Sequence, residues 1–263
     1  MIKREHSPAE SVPPDYDTEA VRDDSAPVIN LLRYKKSSAV VLPSGTTTPR
    51  DVFAHALKDH PLWLKHHPTG LKRMVNYSNP DNILVYTSGQ IVTMSSKHKR
   101  AGCAVVFQTE GLSNMNKSIT FSLEKRGPKD KNQHRIEITA ALRAVVAALE
   151  FKLWGSEGWS QVTIATDNKL LFEGITHHIA KWVTKRWLEE GSKHRPPSRE
   201  LWCRALNLIN VQAYYGCEVK FWLVTAEQNK ETADMARTIA PSDSVSATYR
   251  PCGNVGSTPM MAL

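Results

Sequence analysis

Hydrophobic positions are dense and regularly spaced between about residues 78 and 240, and they are sparse on either side. Within this stretch, short apolar or alternating runs predict β-strands. These runs are residues 83–87, 101–107, 118–123, 162–166 and 218–224. The pattern therefore predicts five strands that share one hydrophobic core.

Helical spacing separates the later strands. Residues 139–151 are rich in alanine and repeat apolar side chains on one face, which predicts a helix. Further helices are predicted from about 169 to 189, over 199–215 and over 229–240. The order β-β-β-α-β-α-α-β-α predicts an α/β fold, with a five-stranded mixed β-sheet flanked by α-helices.

The segments on either side of this stretch differ from it in composition. Residues 1–47 mix Pro, Ser, Thr, Asp and Glu and are predicted to form a disordered N-terminal tail, and residues 241–263 a disordered C-terminal tail. For residues 48–77 we expect a short helical extension, with a helix that starts near Thr48 and runs through Phe53 to Leu57. Met74 either continues this extension or packs on the main domain.

Composition limits the possible locations of the protein and the kinds of binding site that it can form. The chain of 263 residues has no apolar run long enough for a membrane helix and no apolar segment at its N-terminus. We therefore expect an intracellular protein, nuclear or cytoplasmic, without membrane partners and monomeric. The four cysteines lack zinc spacing, so reduced thiols are expected. A formal net charge of +8 is compatible with polyanion binding but also common in other proteins.

One acid follows a predicted central strand directly. Asp167 ends the run 162–166 and precedes a helical pattern, which places a carboxylate where ligands usually bind in α/β sheets. A buried, unpaired carboxylate is costly, so this position needs an explanation. A helix cap, a surface acid, a metal ligand and a catalytic acid all remain open.

A set of motifs in this order resembles ribonuclease H type 1, in particular its fungal members, over most of residues 78–240. The motifs are residues 84–89, 100–107, 142–151, 164–167, 199–202 and 219–222. The resemblance implies a ribonuclease H-like fold and, by family, an endoribonuclease acting on RNA/DNA hybrids. That activity uses four carboxylates that hold two Mg²⁺ ions.

Two of the four acid positions of the family are changed in this chain. The pattern matches Asp167 after the fourth strand and Asp234 in the last helix, which makes them the retained metal and catalytic acids. The other two positions fall on Ser88 and Ala141. A hydroxyl and a methyl group cannot replace carboxylates around hard divalent cations, so the resemblance implies weak or absent Mg²⁺ binding and impaired hydrolysis. Glu137 or Glu231 could supply a substitute ligand, and this alternative stays open. Glu227 falls where the family carries a residue that assists product release.

Basic residues concentrate between residues 176 and 204, where relatives carry a protrusion that contacts the DNA strand of a hybrid. The candidate nucleic-acid-binding residues are Lys181, Lys185, Arg186, Lys193, Arg195 and Arg199. Phosphate contacts would give sequence-independent affinity, and a solvated surface is the alternative. We predict that Trp182, Trp187 and Trp202 are core residues. Arg186 falls where the family pattern usually has glycine, and residues 90–94 replace its glycine-rich turn.

Three functions follow. The first is a ribonuclease H type 1 family protein that has lost hydrolysis and binds hybrids or other nucleic acids. The second is an active hybrid ribonuclease that uses substitute ligands. The third is a non-catalytic scaffold for protein interactions.

Overall fold

The computed structural model describes residues 48–55, 73–94, 99–107, 118–123, 133–187 and 196–242. The predicted tails lie outside the described residues, apart from Pro241 and Ser242. Among the described helices, none combines the length and the hydropathy needed to cross a lipid bilayer.

Seven strands in the described parts of the chain form one sheet. They are β1 (Phe53–His55), β2 (Met74–Asn76), β3 (Asn82–Thr93), β4 (Lys99–Val106), β5 (Ser118–Ser122), β6 (Gln161–Thr166) and β7 (Glu218–Leu223). The last five are the five strands predicted from the hydrophobic pattern, and β1 and β2 are additional. Strand β3 is longer than predicted, because residues 90–93 continue it and pair with the start of β4.

The sheet is mixed, and β3 lies at its centre. Strand β3 pairs antiparallel with β2 and β4, and parallel with β6. Strand β5 adds antiparallel to β4, and β7 adds parallel to β6. The parallel pairing of β3 with β6 ends at Thr87 and Thr166, so both strands present their next residues at the same level.

Within the described residues, six α-helices accompany the sheet. They are α1 (Pro49–Val52), α2 (Gln133–Phe151), α3 (Lys169–Glu173), α4 (Ile179–Thr184), α5 (Arg199–Tyr214) and α6 (Lys230–Ile239). A π-helical turn (Gly174–His178) joins α3 to α4, and a 3₁₀ turn (Trp154–Glu157) follows α2. The predicted helix order is confirmed for the described residues.

Helices α2 and α6 pack on opposite faces of the sheet, and Gly102 allows the close approach of α6. A Cβ on Gly102 would lie 2.0 Å from the carbonyl oxygen of Ala236 in α6. The neighbouring Cys103 directs its thiol to the carbonyl oxygen of Ala140 in α2, at 3.3 Å. Because successive strand residues point to opposite faces, these two contacts assign one helix to each face.

The predicted helical extension over residues 48–77 is wrong in part. A helix does begin after Thr48, whose backbone nitrogen donates to the Asp51 carboxylate at 2.6 Å, but it ends at Val52. Phe53 then begins β1, because its ring is buried against Trp222 with centroids 6.1 Å apart and its strand pairs with β2. Met74 belongs to β2, whereas residues 56–72 lie outside the described residues.

Two of the three tryptophans predicted to be core residues are buried. Trp187 and Trp202 have exposures of 6% and 1%, and the Trp202 indole donates to the carbonyl oxygen of Pro197. Trp182 is half-buried and packs edge-on against Trp202 at 5.2 Å. The helices after β6 are therefore anchored by aromatic packing.

Candidate active site

The candidate site lies where β3 and β6 separate. Asp167 follows the last paired residue of β6, and Ser88 follows the last residue of β3 that pairs with it. Asn229, which is 1% exposed, closes this gap from the start of α6. Its amide nitrogen donates to the Thr87 carbonyl oxygen at 3.0 Å and to Oδ1 of Asp167 at 2.8 Å.

Asp167 is not the cap of the helix that follows it. The side chain of Asn168 fills that role, because its Oδ1 accepts a hydrogen bond from the Leu171 nitrogen at 2.8 Å. Asp167 itself is half-buried and holds the Asn229 amide. Among the alternatives for this acid, the structure therefore excludes the helix cap.

Ser88 and Ala141 lie near the strand end that Asp167 follows, since Ser88 succeeds the Thr87–Thr166 pair and Ala141 packs on Gly89. Ser88 is buried, and its hydroxyl accepts a hydrogen bond from the Gln90 amide at 2.9 Å. Ala141 is buried against the next residue of β3, since a Cβ on Gly89 would lie 2.3 Å from the Ala141 nitrogen. The chain thus brings these positions together, but neither offers a carboxylate.

Asp234 does not join Asp167 in one site, contrary to the sequence-based prediction. Its side chain is 46% exposed and forms ion pairs with Lys230 and Arg237 on α6. These hydrogen bonds, chiefly the one from Lys230, lower the pKa of the Asp234 carboxyl below its ordinary value. The buried residue next to it is Ala233, which is 2% exposed and follows Asn229 by one helical turn.

Two cavities lie near these residues, and they hold different acids. A cavity of about 220 Å³ beside Asp167 also contains Glu137 and Lys99. A second cavity of about 600 Å³ contains Asp234 together with Glu227 and Glu231. Of the two substitute ligands considered from the sequence, Glu137 therefore shares a cavity with Asp167, and Glu231 lies in the other cavity.

The donor set does not fit a two-magnesium centre. Mg²⁺ requires near-octahedral oxygen coordination, and a pair of such ions needs several bridging carboxylates. Over the residues that the structure describes, His, Cys, Asp and Glu side chains form no group of three or more that could hold a metal ion. Beside Asp167 stand a hydroxyl, a methyl group and an amide.

The candidate nucleic-acid-binding residues occupy different surroundings. Lys181, Lys185 and Arg186 are exposed on α4 and the turn that follows it. Arg199 is half-buried at the start of α5, with its Nε atom enclosed beside Cys203. Lys193 and Arg195 lie outside the described residues. Among the described candidates, the exposed residues thus lie at the end of α4.

Two site residues escaped the sequence reasoning. Asn229 stands one helical turn before Ala233, and this spacing was the signal that could have placed both on the inward face of α6. Lys99 precedes the predicted strand 101–107, whereas in the structure it belongs to β4 and lines the Asp167 cavity. Lys99, Ala101 and Cys103 are spaced by two residues and so share one face of a strand. This spacing was the signal that could have placed Lys99 in β4.

Similar proteins were found in sequence and in structure. The ribonuclease H of Geotalea uraniireducens (strain Rf4) is 34% identical over 83 residues, which are 31% of this chain and 50% of that protein. LC9-RNase H1, a type 1 RNase H, is 20% identical with a TM-score of 0.43, covering 63% of this chain and 74% of that chain. The PFV RNase H domain is 15% identical with a TM-score of 0.43, covering 60% and 93%.

The chain spans half the length of the curated relative that it matches. The model of the RNase H family matches residues 80–237, which include strands β3 to β7 and nearly all of helix α6. This match extends over more than half of the chain and includes Ser88, Ala141 and Asp167. The protein therefore belongs to the RNase H family and has an α/β RNase H-like fold.

Proposed function

We propose that this chain binds RNA/DNA hybrids and does not hydrolyse them. The observation that carries the proposal is the set of groups around Asp167, where Ser88, Ala141 and the Asn229 amide replace potential metal ligands. Membership of the family supplies the fold and the class of ligand. Among the described residues, the positions of Ser88, Ala141 and Asn229 carry no carboxylate, which argues against the chemistry.

Charge balance supports this proposal. Two Mg²⁺ ions bring four positive charges into a partly buried site, and anionic oxygen must compensate them. Asp167 and Glu137 are the carboxylates of its cavity, and Lys99 offsets one of them. The lining thus has a net charge of about one negative unit, so pairs of divalent ions would be strongly under-compensated.

The orientation of α6 leaves the site without one further acid. Ala233 and Ala236 are buried, whereas Asp234 points to solvent. A carboxylate that reached Asp167 from this helix would have to stand at position 233, one turn after Asn229. We therefore assign the fourth acid position of the family to Ala233, which leaves Asp167 as the one family acid in place.

Stepwise restoration of the acids tests this proposal. We expect the parent chain to bind a fluorescent RNA/DNA hybrid without cleaving it in Mg²⁺ or Mn²⁺. The double variant Ser88→Asp/Ala141→Glu should remain inactive or nearly so, whereas adding Ala233→Asp should produce cleavage. Adding Asp167→Asn to the triple variant is the control, and it should abolish that cleavage.

Cleavage by the parent chain that disappears in Asp167→Asn would overturn the loss of hydrolysis. Equal cleavage by the double and triple variants would overturn the assignment of Ala233. Absence of hybrid binding at low salt by a folded parent would refute the binding half of the proposal.

One observation favours an active enzyme as the second candidate. Glu137 lines the same cavity as Asp167, one helical turn before Ala141. If Glu137 acted as the substitute ligand, the parent would cleave hybrid, and Glu137→Gln would abolish the cleavage. The matched control is Glu231→Gln, which removes an acid from the other cavity and should leave cleavage unchanged.

A further inference from the structure

The cavity beside Asp167 contains an ammonium group as well as two carboxylates. Lys99, Glu137 and Asp167 are all half-buried and line the same space of about 220 Å³. A family member of this fold would need positive charge here to offset its acids and the phosphodiester of a substrate. In this chain, the Lys99 ammonium supplies a positive charge to the cavity.

The sheet register explains why Lys99 enters this cavity. Lys99 pairs with Thr93, and Cys103 pairs with Gly89, so these positions share one face of the sheet. Cys103 contacts Ala140 of α2, which identifies that face as the one covered by α2. Glu137 stands on α2 one turn before Ala141, and therefore lies on the same side of the sheet as Lys99.

We propose that the Lys99 ammonium is a fixed cation that offsets part of the negative charge of Glu137 and Asp167 in place of a divalent metal ion. A covalently attached charge needs no free metal ion, and it repels any cation that enters the same small space. The site then accepts a nearby phosphodiester without Mg²⁺. This last consequence rests on the proposed hybrid binding, whereas the exclusion of metal does not.

Manganese binding tests the exclusion directly, because free Mn²⁺ is followed by electron paramagnetic resonance without any nucleic acid. The parent chain should show no Asp167-dependent Mn²⁺ binding. Lys99→Gln should gain one weak site in the millimolar range, and Lys99→Gln/Asp167→Asn should lose it. The matched control is Lys220→Gln, a half-buried strand lysine paired with Glu218 outside this cavity, which should behave as the parent.

Asp167-dependent Mn²⁺ binding by the parent would overturn the proposal. An unchanged Mn²⁺ titration for Lys99→Gln would overturn it as well. Neither result depends on whether the chain binds hybrids, so failure here and failure of the proposed function are separable.

Hybrid binding in EDTA tests the consequence for the ligand. The parent affinity should be the same in EDTA and in Mg²⁺ at constant ionic strength, and Lys99→Gln should weaken binding in EDTA by about tenfold because a carboxylate is left uncompensated near phosphate. Lys99→Gln/Glu137→Gln should recover the parent affinity, since it restores the charge balance. A double variant as weak as Lys99→Gln would instead make Lys99 a direct phosphate contact, and would overturn the neutralising role.

Discussion

Asn229 donates from a single amide nitrogen to the backbone of β3 and to the acid that follows β6. Both acceptors lie at the point where the two central strands lose their mutual hydrogen bonds. At the scale of single residues, this amide bridges the two strands where they separate. Its contribution should therefore be structural, and large for a polar side chain.

Asn229→Ala should lower the free energy of unfolding by about 2 kcal/mol, because it leaves two acceptors at the strand ends without their donor. Urea denaturation measures this change. Asn168→Ala is the control: it removes one helix-capping bond near the same site and should cost about 1 kcal/mol. A smaller loss for Asn229→Ala than for Asn168→Ala would contradict the bridging role.

The two acids that the sequence matched to the family pattern, Asp167 and Asp234, show which side-chain positions can be predicted from sequence at this scale. Asp167 could be placed from sequence because a strand ends directly before it and the strand end fixes its position. Asp234 could not, because one residue along a helix rotates a side chain by about 100°. The rotation of α6 about its own axis is set by the contact of Gly102 with Ala236, and these residues are far apart in the chain.

At the scale of elements, the turn after α4 is strained. Arg186 and Trp187 have φ angles of 53° and 65°, in the left-handed region that favours glycine. The resemblance already marked Arg186 as a position where relatives have glycine. The structure keeps the glycine-like conformation although the residue has changed.

Arg186→Gly should therefore stabilise the protein by about 1 kcal/mol, since glycine reaches this conformation without the Cβ penalty. Thermal or urea denaturation measures the change. Ala180→Gly in the preceding helix α4 is the matched control and should destabilise by about 1 kcal/mol, because its backbone is helical. Destabilisation by both variants would show that the Arg186 side chain makes contacts that outweigh the strain.

Strand β1 also shows that a local sequence pattern cannot predict where a helix ends when long-range strand pairing ends it. Thr48, Pro49 and Asp51 form a genuine helix start, and this signal is entirely local. The end of that helix depends on β1 pairing with β2, some twenty residues later, and on Phe53 reaching Trp222. A capping motif therefore predicts where the helix begins but contains no information about that pairing.

Phe53→Ala should lower the free energy of unfolding by about 3 kcal/mol, because Phe53 is 5% exposed and packs in the cluster around Tyr86 and Trp222. Tyr77→Ala is the control on the adjacent turn: Tyr77 is 69% exposed, and its removal should change stability by less than about 0.5 kcal/mol. Equal, small effects would show that residues 48–55 are not part of the folded core.

At the scale of the whole molecule, the net charge of +8 favours association with polyanions, but its placement decides whether binding is specific to one surface. Lys181 and Lys185 are exposed on α4, on the segment that the resemblance connects with phosphate contacts. Counterion release makes the logarithm of the hybrid association constant fall linearly with the logarithm of salt concentration. Each phosphate contact adds about 0.9 to the steepness of that line.

Lys181→Gln/Lys185→Gln should therefore make the salt dependence shallower by about 2, measured by fluorescence anisotropy at several salt concentrations. The control Lys220→Gln/Lys230→Gln removes the same charge from β7 and α6 and should leave the slope nearly unchanged. Equal losses in both double variants would mean that binding follows total charge rather than a defined surface. A shallower salt dependence for Lys181→Gln/Lys185→Gln alone would assign phosphate binding to the α4 surface. This surface has a fixed position because Trp182 of α4 packs against Trp202 of α5.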